Sequence, residues 1–130
     1  GDWKQTSSRW ILDEWKAPKT DKPWGCYRLL HDYGPEAKLK ELWVEPGKAL
    51  SMQRHAKRSE FWFVAEGQAT VYTINSRTTD AELLGTFGKH QSIYISKGEW
   101  HQLVNETDHV LQLVEIQYGE DCVEEDIERK

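Results

Sequence analysis

The chain has 130 residues, a length that corresponds to one domain. Apolar residues make up 38% of it and charged residues 30%, which is the composition of a globular protein rather than of a disordered or membrane-embedded one. The net charge of −5 argues against a nucleic-acid partner, because nucleic-acid binding needs a concentrated basic face. No apolar run approaches the roughly 20 residues of a membrane-spanning helix, so we expect no membrane partner.

We expect a cytoplasmic protein, because the sequence shows no charged-then-apolar leader of the secretory kind. The two cysteines, Cys26 and Cys122, stand far apart and in no metal-binding spacing. Reduced thiols are the expectation for such a pair in the cytoplasm, and a single disulfide joining the two ends of the domain is the alternative.

The beginning of the chain predicts a short helix or an irregular arm. Two tryptophans and an isoleucine within residues 10–15 lie near helical spacing, and a serine before them can cap a helix. Pro18 and the polar residues after it end this segment. We therefore expect residues 1–21 to form an N-terminal arm packed outside a main domain over residues 22–130.

From Trp24 onward, short apolar runs alternate with turn residues. The predicted strands cover residues 38–44, 61–65, 68–74, 92–95, 102–104 and 110–117. Gly85 and Gly88 predict a loop, and the acidic tail after Gly119 predicts one helical turn. Many short strands separated by glycine and proline turns predict an all-β sandwich or barrel.

The segment between Gly47 and Gly67 carries groups that can bind a divalent metal ion. Gln53 and His55 are separated by one residue, so on a strand both side chains point to the same face. Glu60 follows near the start of the next apolar strand. An amide oxygen, an imidazole and a carboxylate together suit zinc, iron or manganese.

A well-held metal ion needs a further protein ligand, and His101 is the best candidate in the rest of the chain. It follows a tight turn at Gly98 and opens a predicted strand. The other histidines, His31, His90 and His109, stand in polar, loop-like contexts. A single strand histidine is more often a hydrogen-bonded structural residue, so the prediction of a metal site depends on the joint spacing of the four groups.

Two motifs resemble those of the cupin superfamily. The spacing of the proposed ligands and their flanking glycines resembles the first cupin motif, although Gln53 stands where most cupins carry a histidine. Residues 96–105, with the sequence SKGEWHQLVN, resemble the second motif, with Ser96 in place of a proline. The resemblance implies a double-stranded β-helix, or jelly roll, with one metal ion at its centre.

A closer resemblance covers residues 22–129 and points to the cupin domain of type II mannose-6-phosphate isomerases. The matching segments are KPWG at 22–25, LSMQRH at 50–55, RSEFW at 58–62, YISKGEWHQLVN at 94–105, LVEIQYGE at 113–120 and EEDIER at 124–129. The same domain occurs at the C-terminus of mannose-1-phosphate guanylyltransferases. Ala56, Lys57 and Phe61 stand where that family has histidines. The sequence contains no Gly-rich nucleotidyltransferase signature, so we do not expect guanylyltransferase activity of these residues.

The resemblance implies a metal-dependent sugar-phosphate isomerase that interconverts mannose 6-phosphate and fructose 6-phosphate. The implied cofactor is one divalent ion, zinc first and iron, manganese, nickel or cobalt as alternatives, held by Gln53, His55, Glu60 and His101. A non-catalytic sugar-binding or regulatory cupin is a second function that stays open, and an iron-dependent cupin dioxygenase is a third. The expected partners are a small-molecule sugar phosphate and a second copy of the chain, since cupins commonly form homodimers through edge strands.

Strand parity and the family motif also nominate substrate-binding and catalytic residues. Lys38 and Lys40 share one strand face, so they either line the mouth of the barrel and bind a sugar phosphate or lie on a solvated edge. Ser51 shares the face of the first two metal ligands and can reach the substrate. Arg58 matches an arginine of the family motif and either binds phosphate or pairs with a carboxylate. Lys40 and Glu115 are the candidates for the catalytic base.

Overall fold

The computed structural model describes residues 18–130 of the chain. Within that range the regular secondary structure consists of β-strands, as the sequence predicts. The strands are β1 (Lys19–Lys22), β2 (Gly25–Asp32), β3 (Ala37–Val44), β4 (Gln53–Arg54), β5 (Arg58–Glu66), β6 (Ala69–Ile74), β7 (Ala81–Phe87), β8 (Ser92–Ile95), β9 (Gln102–Val104), β10 (Leu111–Gly119) and β11 (Glu128–Arg129). None of the described residues belongs to a helix that could cross a membrane. The helix predicted near residues 10–15 lies outside the described range.

Most strands belong to two antiparallel sheets that share one core. The larger sheet has six strands in the order β1-β2-β3-β10-β5-β8, and the smaller has three in the order β7-β6-β9. A short pair, β11-β4, lies beside them. Because β10 inserts between β3 and β5, neighbours in the sheet are distant in sequence, which is typical of a jelly roll. The predicted double-stranded β-helix is therefore confirmed.

The core is built from residues that alternate along the strands. On β10 every second residue from Leu111 to Gln117 is buried, and the residues between them are more exposed. The apolar cluster that joins the two sheets consists of Leu42, Val44, Trp62, Val64, Ala69, Val71, Ile93, Ile95, Leu103, Leu111 and Leu113. Beyond Leu113 the inward-facing positions of β10 become polar, so the barrel interior has an apolar core and a polar end.

One strand differs from the sequence prediction. Ala81–Phe87 forms β7, an edge strand paired with β6, where Gly85 and Gly88 predict a loop. Its residues are mostly exposed, so the strand lacks the apolar alternation that would reveal it in the sequence. The pairing shifts register between Val71 and Tyr72, as a β-bulge does.

Both ends of the described chain pair with the main body. β1 begins at Lys19 and pairs with β2, so the predicted boundary after residue 21 falls inside a strand. The tail after Gly119 contains turns and β11 instead of the predicted helical turn. In this tail, β11 pairs with β4. Next to that pair, the backbone nitrogen of Lys130 donates a hydrogen bond to the backbone oxygen of Met52 at 3.0 Å. This pairing brings the tail to the polar end of the barrel.

The two cysteines are separate thiols. Cys26 lies on β2 and Cys122 in the tail, and both are buried and free. Burial raises the pKa of both thiols, so neither has the character of a reactive thiolate.

Candidate metal centre

The polar end of the barrel brings together His55 after β4, Glu60 on β5 and His101 before β9. Their candidate ligand atoms all lie within 4.8 Å of one another. His55 Nε2 is 3.4 Å from Glu60 Oε2, and His101 Nε2 is 3.7 Å from Glu60 Oε1. Two atoms that each lie about 2.1 Å from one ion are at most about 4.2 Å apart, so both distances suit a shared ion.

A hydrogen bond at Nδ1 of each imidazole determines that Nε2 is the ring nitrogen that faces the other candidate ligands. Nδ1 of His55 is 2.7 Å from the backbone oxygen of Asp126, and Nδ1 of His101 is 2.9 Å from that of Glu99. Because a carbonyl oxygen only accepts, both Nδ1 atoms carry the hydrogen, and in the neutral form of each ring Nε2 is then the nitrogen with the lone pair. Burial also lowers the pKa of His55, which favours the neutral imidazole. Metal-binding histidines are held in this way, so these residues fit a divalent ion.

Glu60 is buried and held by two donors. Arg58 Nε donates to Glu60 Oε2 at 2.9 Å, and Trp62 Nε1 donates to Oε1 at 3.1 Å. Burial alone would raise the pKa of Glu60, but His101, Arg58 and His55 outweigh it and hold the pKa below its ordinary value. The ionised carboxylate is the form that binds a metal cation. Of the two roles predicted for Arg58, the contact in the structure is the pairing with a carboxylate.

Backbone contacts place the ligand segments beside each other. Gln53 and His101 exchange two backbone hydrogen bonds, each 2.9 Å long. Gly98 N donates to the backbone oxygen of His55 at 2.7 Å. The φ angle of Gly98 is 76°, which residues with a side chain rarely adopt, so glycine makes the turn that delivers His101.

Gln53 and Ser51 line the same cavity as the three ligand candidates. Gln53 Nε2 is 3.5 Å from the backbone oxygen of Ser51, which leaves Oε1 as the ligand atom of the amide. Coordination by Gln53 and substrate contact by Ser51 stay predictions.

The cavity around the group has a volume of about 340 Å³, and Lys40, Arg58 and Glu115 also line it. Lys38 lies outside it, whereas strand parity placed both lysines together, either at the mouth of the barrel or on a solvated edge. The ammonium of Lys38 is held 2.9 Å from Asp32 Oδ1, at the end of the hairpin formed by β2 and β3. The structure therefore separates the two lysines that the sequence treats alike.

Lys40 and Glu115 lie opposite each other on β3 and β10. The ammonium of Lys40 pairs with the carboxylate of Glu124 in the tail. Burial, followed by repulsion from Glu60, raises the pKa of Glu115 to about 8. Glu115 therefore populates its protonated and ionised forms near neutral pH and can exchange a proton inside the cavity.

Comparisons with known proteins agree with this geometry. The family model described as "Mannose-6-phosphate isomerase C-terminal" matches residues 13–130. The chain belongs to this family. The curated mannose-1-phosphate guanylyltransferase of Sinorhizobium fredii is 40% identical over 112 residues, which are 86% of this chain and 20% of that protein. The alginate biosynthesis protein AlgA of Pseudomonas aeruginosa is 36% identical over 108 residues, 83% of this chain and 21% of that protein.

The family's cupin fold is also found in solved structures. The capsular polysaccharide assembling protein CapF of Staphylococcus aureus has a TM-score of 0.74 at 13% identity, covering 87% of this chain and 34% of that one. Oxalate decarboxylase of Bacillus subtilis has a TM-score of 0.73 at 13% identity, covering 87% and 30%. At this identity the likeness shows the fold alone. The chain spans about a fifth of the length of the curated relatives it matches.

The C-terminal tail of this family member contributes to the site in a way that sequence reasoning missed. The backbone oxygen of Asp126 holds His55, and its carboxylate accepts hydrogen bonds from the backbone nitrogens of Ala56 and Lys57 at 3.0 and 2.8 Å. The family match at residues 124–129 was the signal available in the sequence, and it indicates no role for individual residues. The tail therefore supports His55, one of the candidate metal ligands.

We expect Asp126→Ala to lower the affinity for zinc by about 10- to 100-fold, the usual cost of losing an outer-shell partner. The substitution keeps the backbone oxygen that accepts from His55 but removes the two carboxylate hydrogen bonds that fix its position, so the imidazole is held less firmly. Titration against a chelator that competes for zinc measures the effect. Glu125→Ala is the matched control, because Glu125 is an exposed carboxylate in the same tail. Equal affinities of the two variants would contradict the anchoring role.

Proposed function

We propose that this domain is a metal-dependent sugar-phosphate isomerase that interconverts mannose 6-phosphate and fructose 6-phosphate. The observation that carries the proposal is one cavity in which Lys40 and Glu115 lie beside the ligand group of His55, Glu60 and His101. The description of the matching family names mannose-6-phosphate isomerase, which supports the choice of substrate. The relatives' name, guanylyltransferase, belongs to proteins of which this chain matches about a fifth.

The interconversion moves a proton between two adjacent carbons of the sugar, so it needs a group that can take the proton and return it. Glu115 supports that role because its pKa of about 8 lets both of its forms exist near neutral pH. A bound divalent ion would stabilise the negative charge that develops on the sugar oxygens as the proton leaves. We propose that Glu115 holds and returns this proton.

Zinc is the ion we propose, because two imidazoles and a carboxylate suit it, and iron, manganese, nickel and cobalt are accepted by the same ligands. We also propose a homodimer in the cytoplasm. Within residues 18–130, β1 and β8 are the edge strands of the larger sheet, and we propose one of these edges for pairing with a second copy. Metal analysis of the purified protein and its mass in solution test the two proposals separately.

We propose that Lys40 binds the phosphate of the substrate. Its side chain is 8% exposed and pairs with one tail carboxylate, Glu124. Burial would raise the pKa of Glu124, but the hydrogen bond and the charge of Lys40 keep that pKa below its ordinary value, so the Glu124 carboxylate stays ionised. A phosphate carries more charge than one carboxylate and can take the place of Glu124 on the same ammonium.

Lys40→Ala should raise KM for mannose 6-phosphate by about 10- to 100-fold and leave kcat almost unchanged. A phosphate held away from the reacting carbons contributes binding that the ground state and the transition state share. A coupled assay of fructose 6-phosphate formation by the zinc-loaded protein measures both constants. Lys38→Ala is the matched control, since Lys38 lies on the same strand but outside the cavity, and it should behave as the wild type.

Three results of this assay would change the proposal. Equal effects of the two lysine substitutions would contradict the placement of the phosphate at Lys40. A large fall in kcat in Lys40→Ala would make Lys40 the catalytic base, its other predicted role. No turnover by the wild type, with Lys40-dependent binding of sugar phosphate, would favour the non-catalytic sugar-binding cupin.

A further inference from the structure

Lys22 is a lysine at the mouth of the cavity whose charge no carboxylate neutralises. It is the last residue of β1 and lines the cavity that holds the metal-ligand group. Its ammonium lies 5.9 Å from the centre of the Tyr27 ring. Within residues 18–130 it forms no ion pair, whereas Lys19 on the same strand lies 3.8 Å from Asp21. The positive charge of Lys22 is therefore available to an anion in the cavity.

The ring of Tyr27 brings Lys22 and Lys40 to one part of the cavity. The ammonium of Lys40 lies 4.8 Å from the centre of this ring. Tyr27 pairs with Thr20 on β1 and with Leu42 on β3, so each lysine, two residues further along its strand, is a diagonal neighbour of Tyr27 on the same face. Lys22 is exposed and has a flexible stem, so its ammonium can turn towards a ligand that binds at Lys40.

The carboxylate of Glu124 marks the place where an anion meets these cations. It pairs with Lys40, and its side chain is 65% exposed, so it can move into water when a ligand replaces it. Burial would raise the pKa of Glu124, but Lys40 and then the charges of Arg58 and Lys22 lower it. Lys22 is therefore close enough to act on an anion held by Lys40. One carboxylate carries a single negative charge, so it can neutralise only one of the two lysines.

We propose that Lys22 is a second phosphate-binding residue and that the two lysines select a doubly charged phosphate ester. The phosphate takes the place of Glu124 on Lys40, and its second negative charge is met by Lys22. A phosphate monoester carries nearly two negative charges above its second pKa of about 6, whereas a sulfate ester of the same shape carries one. The inference rests on the proposed function and deepens it, because it states which charge form of the substrate the site recognises.

Binding calorimetry on the zinc-loaded protein tests this with mannose 6-phosphate and mannose 6-sulfate. The wild type should bind the phosphate ester at least about fivefold more tightly, the effect of one ion pair at an exposed position. Lys22→Met removes the charge, so it should weaken binding of the phosphate ester about fivefold and of the sulfate ester only about twofold, because less charge faces Lys22. Lys22→Arg should bind both esters as the wild type does. Lys19→Met is the matched control, since Lys19 lies on the same strand outside the cavity, and it should change neither affinity.

The outcomes separate this inference from the proposed function. A wild type that binds both esters equally well overturns the selection by charge, and this measurement needs no variant to fold. A Lys22→Met protein that binds mannose 6-phosphate as the wild type does overturns the role of Lys22, and so does an equal loss of affinity in Lys19→Met. In all these cases the isomerase proposal stands. A wild type that binds no sugar phosphate overturns the two together.

Discussion

His101→Ala should lower the affinity for zinc by more than about a hundredfold, beyond the cost of losing an outer-shell partner, because a ligand atom itself is removed. Nε2 of His101 lies 3.7 Å from Glu60 Oε1, and its lone pair faces the ligand group because Nδ1 donates to Glu99 O. The alanine side chain has no nitrogen atom that could bind the ion in place of Nε2 of His101. Competition with a chromophoric chelator gives the zinc affinity, and we expect a loss of the same order in His55→Ala.

The matched control for this loss is His109→Ala. His109 has a side chain that is 84% exposed, and its imidazole lies 3.3 Å from Asp108, away from the cavity. The substitution removes the same chemical group from the surface, so the affinity for zinc should not change. Tight zinc binding by His101→Ala, or an equal loss in His109→Ala, would contradict a centre that includes His101.

Glu115→Gln should lower kcat for mannose 6-phosphate by about 10²- to 10⁴-fold, the range that proton transfer by a side chain contributes. The amide keeps the shape of the carboxyl group and an oxygen that can accept from Gln117 Nε2, but it cannot take and return a proton. Zinc content and thermal stability should stay close to those of the wild type. Steady-state kinetics and metal analysis on the same preparation measure the three quantities.

Glu120→Gln is the control for the loss of one carboxylate. Glu120 follows β10 directly, is 71% exposed, and pairs with Lys97 at 3.2 Å on the surface. Its substitution should leave kcat unchanged. Retained kcat in Glu115→Gln would assign the proton transfer to another group, and loss of zinc together with kcat would make Glu115 part of the metal site instead.

The ligand group could be predicted because its members stand in short, local patterns. His55 and Glu60 are close in sequence on either side of one turn, and Gly98 indicates the turn before His101. Apolar alternation indicates which side chains point inward on part of a strand, as β10 shows at Leu111 and Leu113, but beyond Leu113 the inward-facing residues of that strand are polar. These signals are contained in a few consecutive residues, so both the barrel and the ligand candidates follow from them.

Features that depend on distant residues could not be predicted in this way. Parity assigns Lys38 and Lys40 to one face, but it does not show that Asp32 holds one of them and Glu124 the other. The support of His55 comes from Asp126, which is far away in the chain and reaches the site through the pairing of β11 with β4. Such contacts are decided by the tertiary arrangement of the strands.

Anomalous diffraction at the zinc absorption edge, from crystals of the zinc-loaded protein, tests most directly whether one metal centre exists at the polar end of the barrel. We expect a single strong peak about 2.0–2.2 Å from Nε2 of His55, Nε2 of His101 and a carboxylate oxygen of Glu60, with Gln53 as the further ligand. A peak at other histidines, or no peak between His55 and His101 in a protein that binds zinc stoichiometrically in solution, would contradict the assignment.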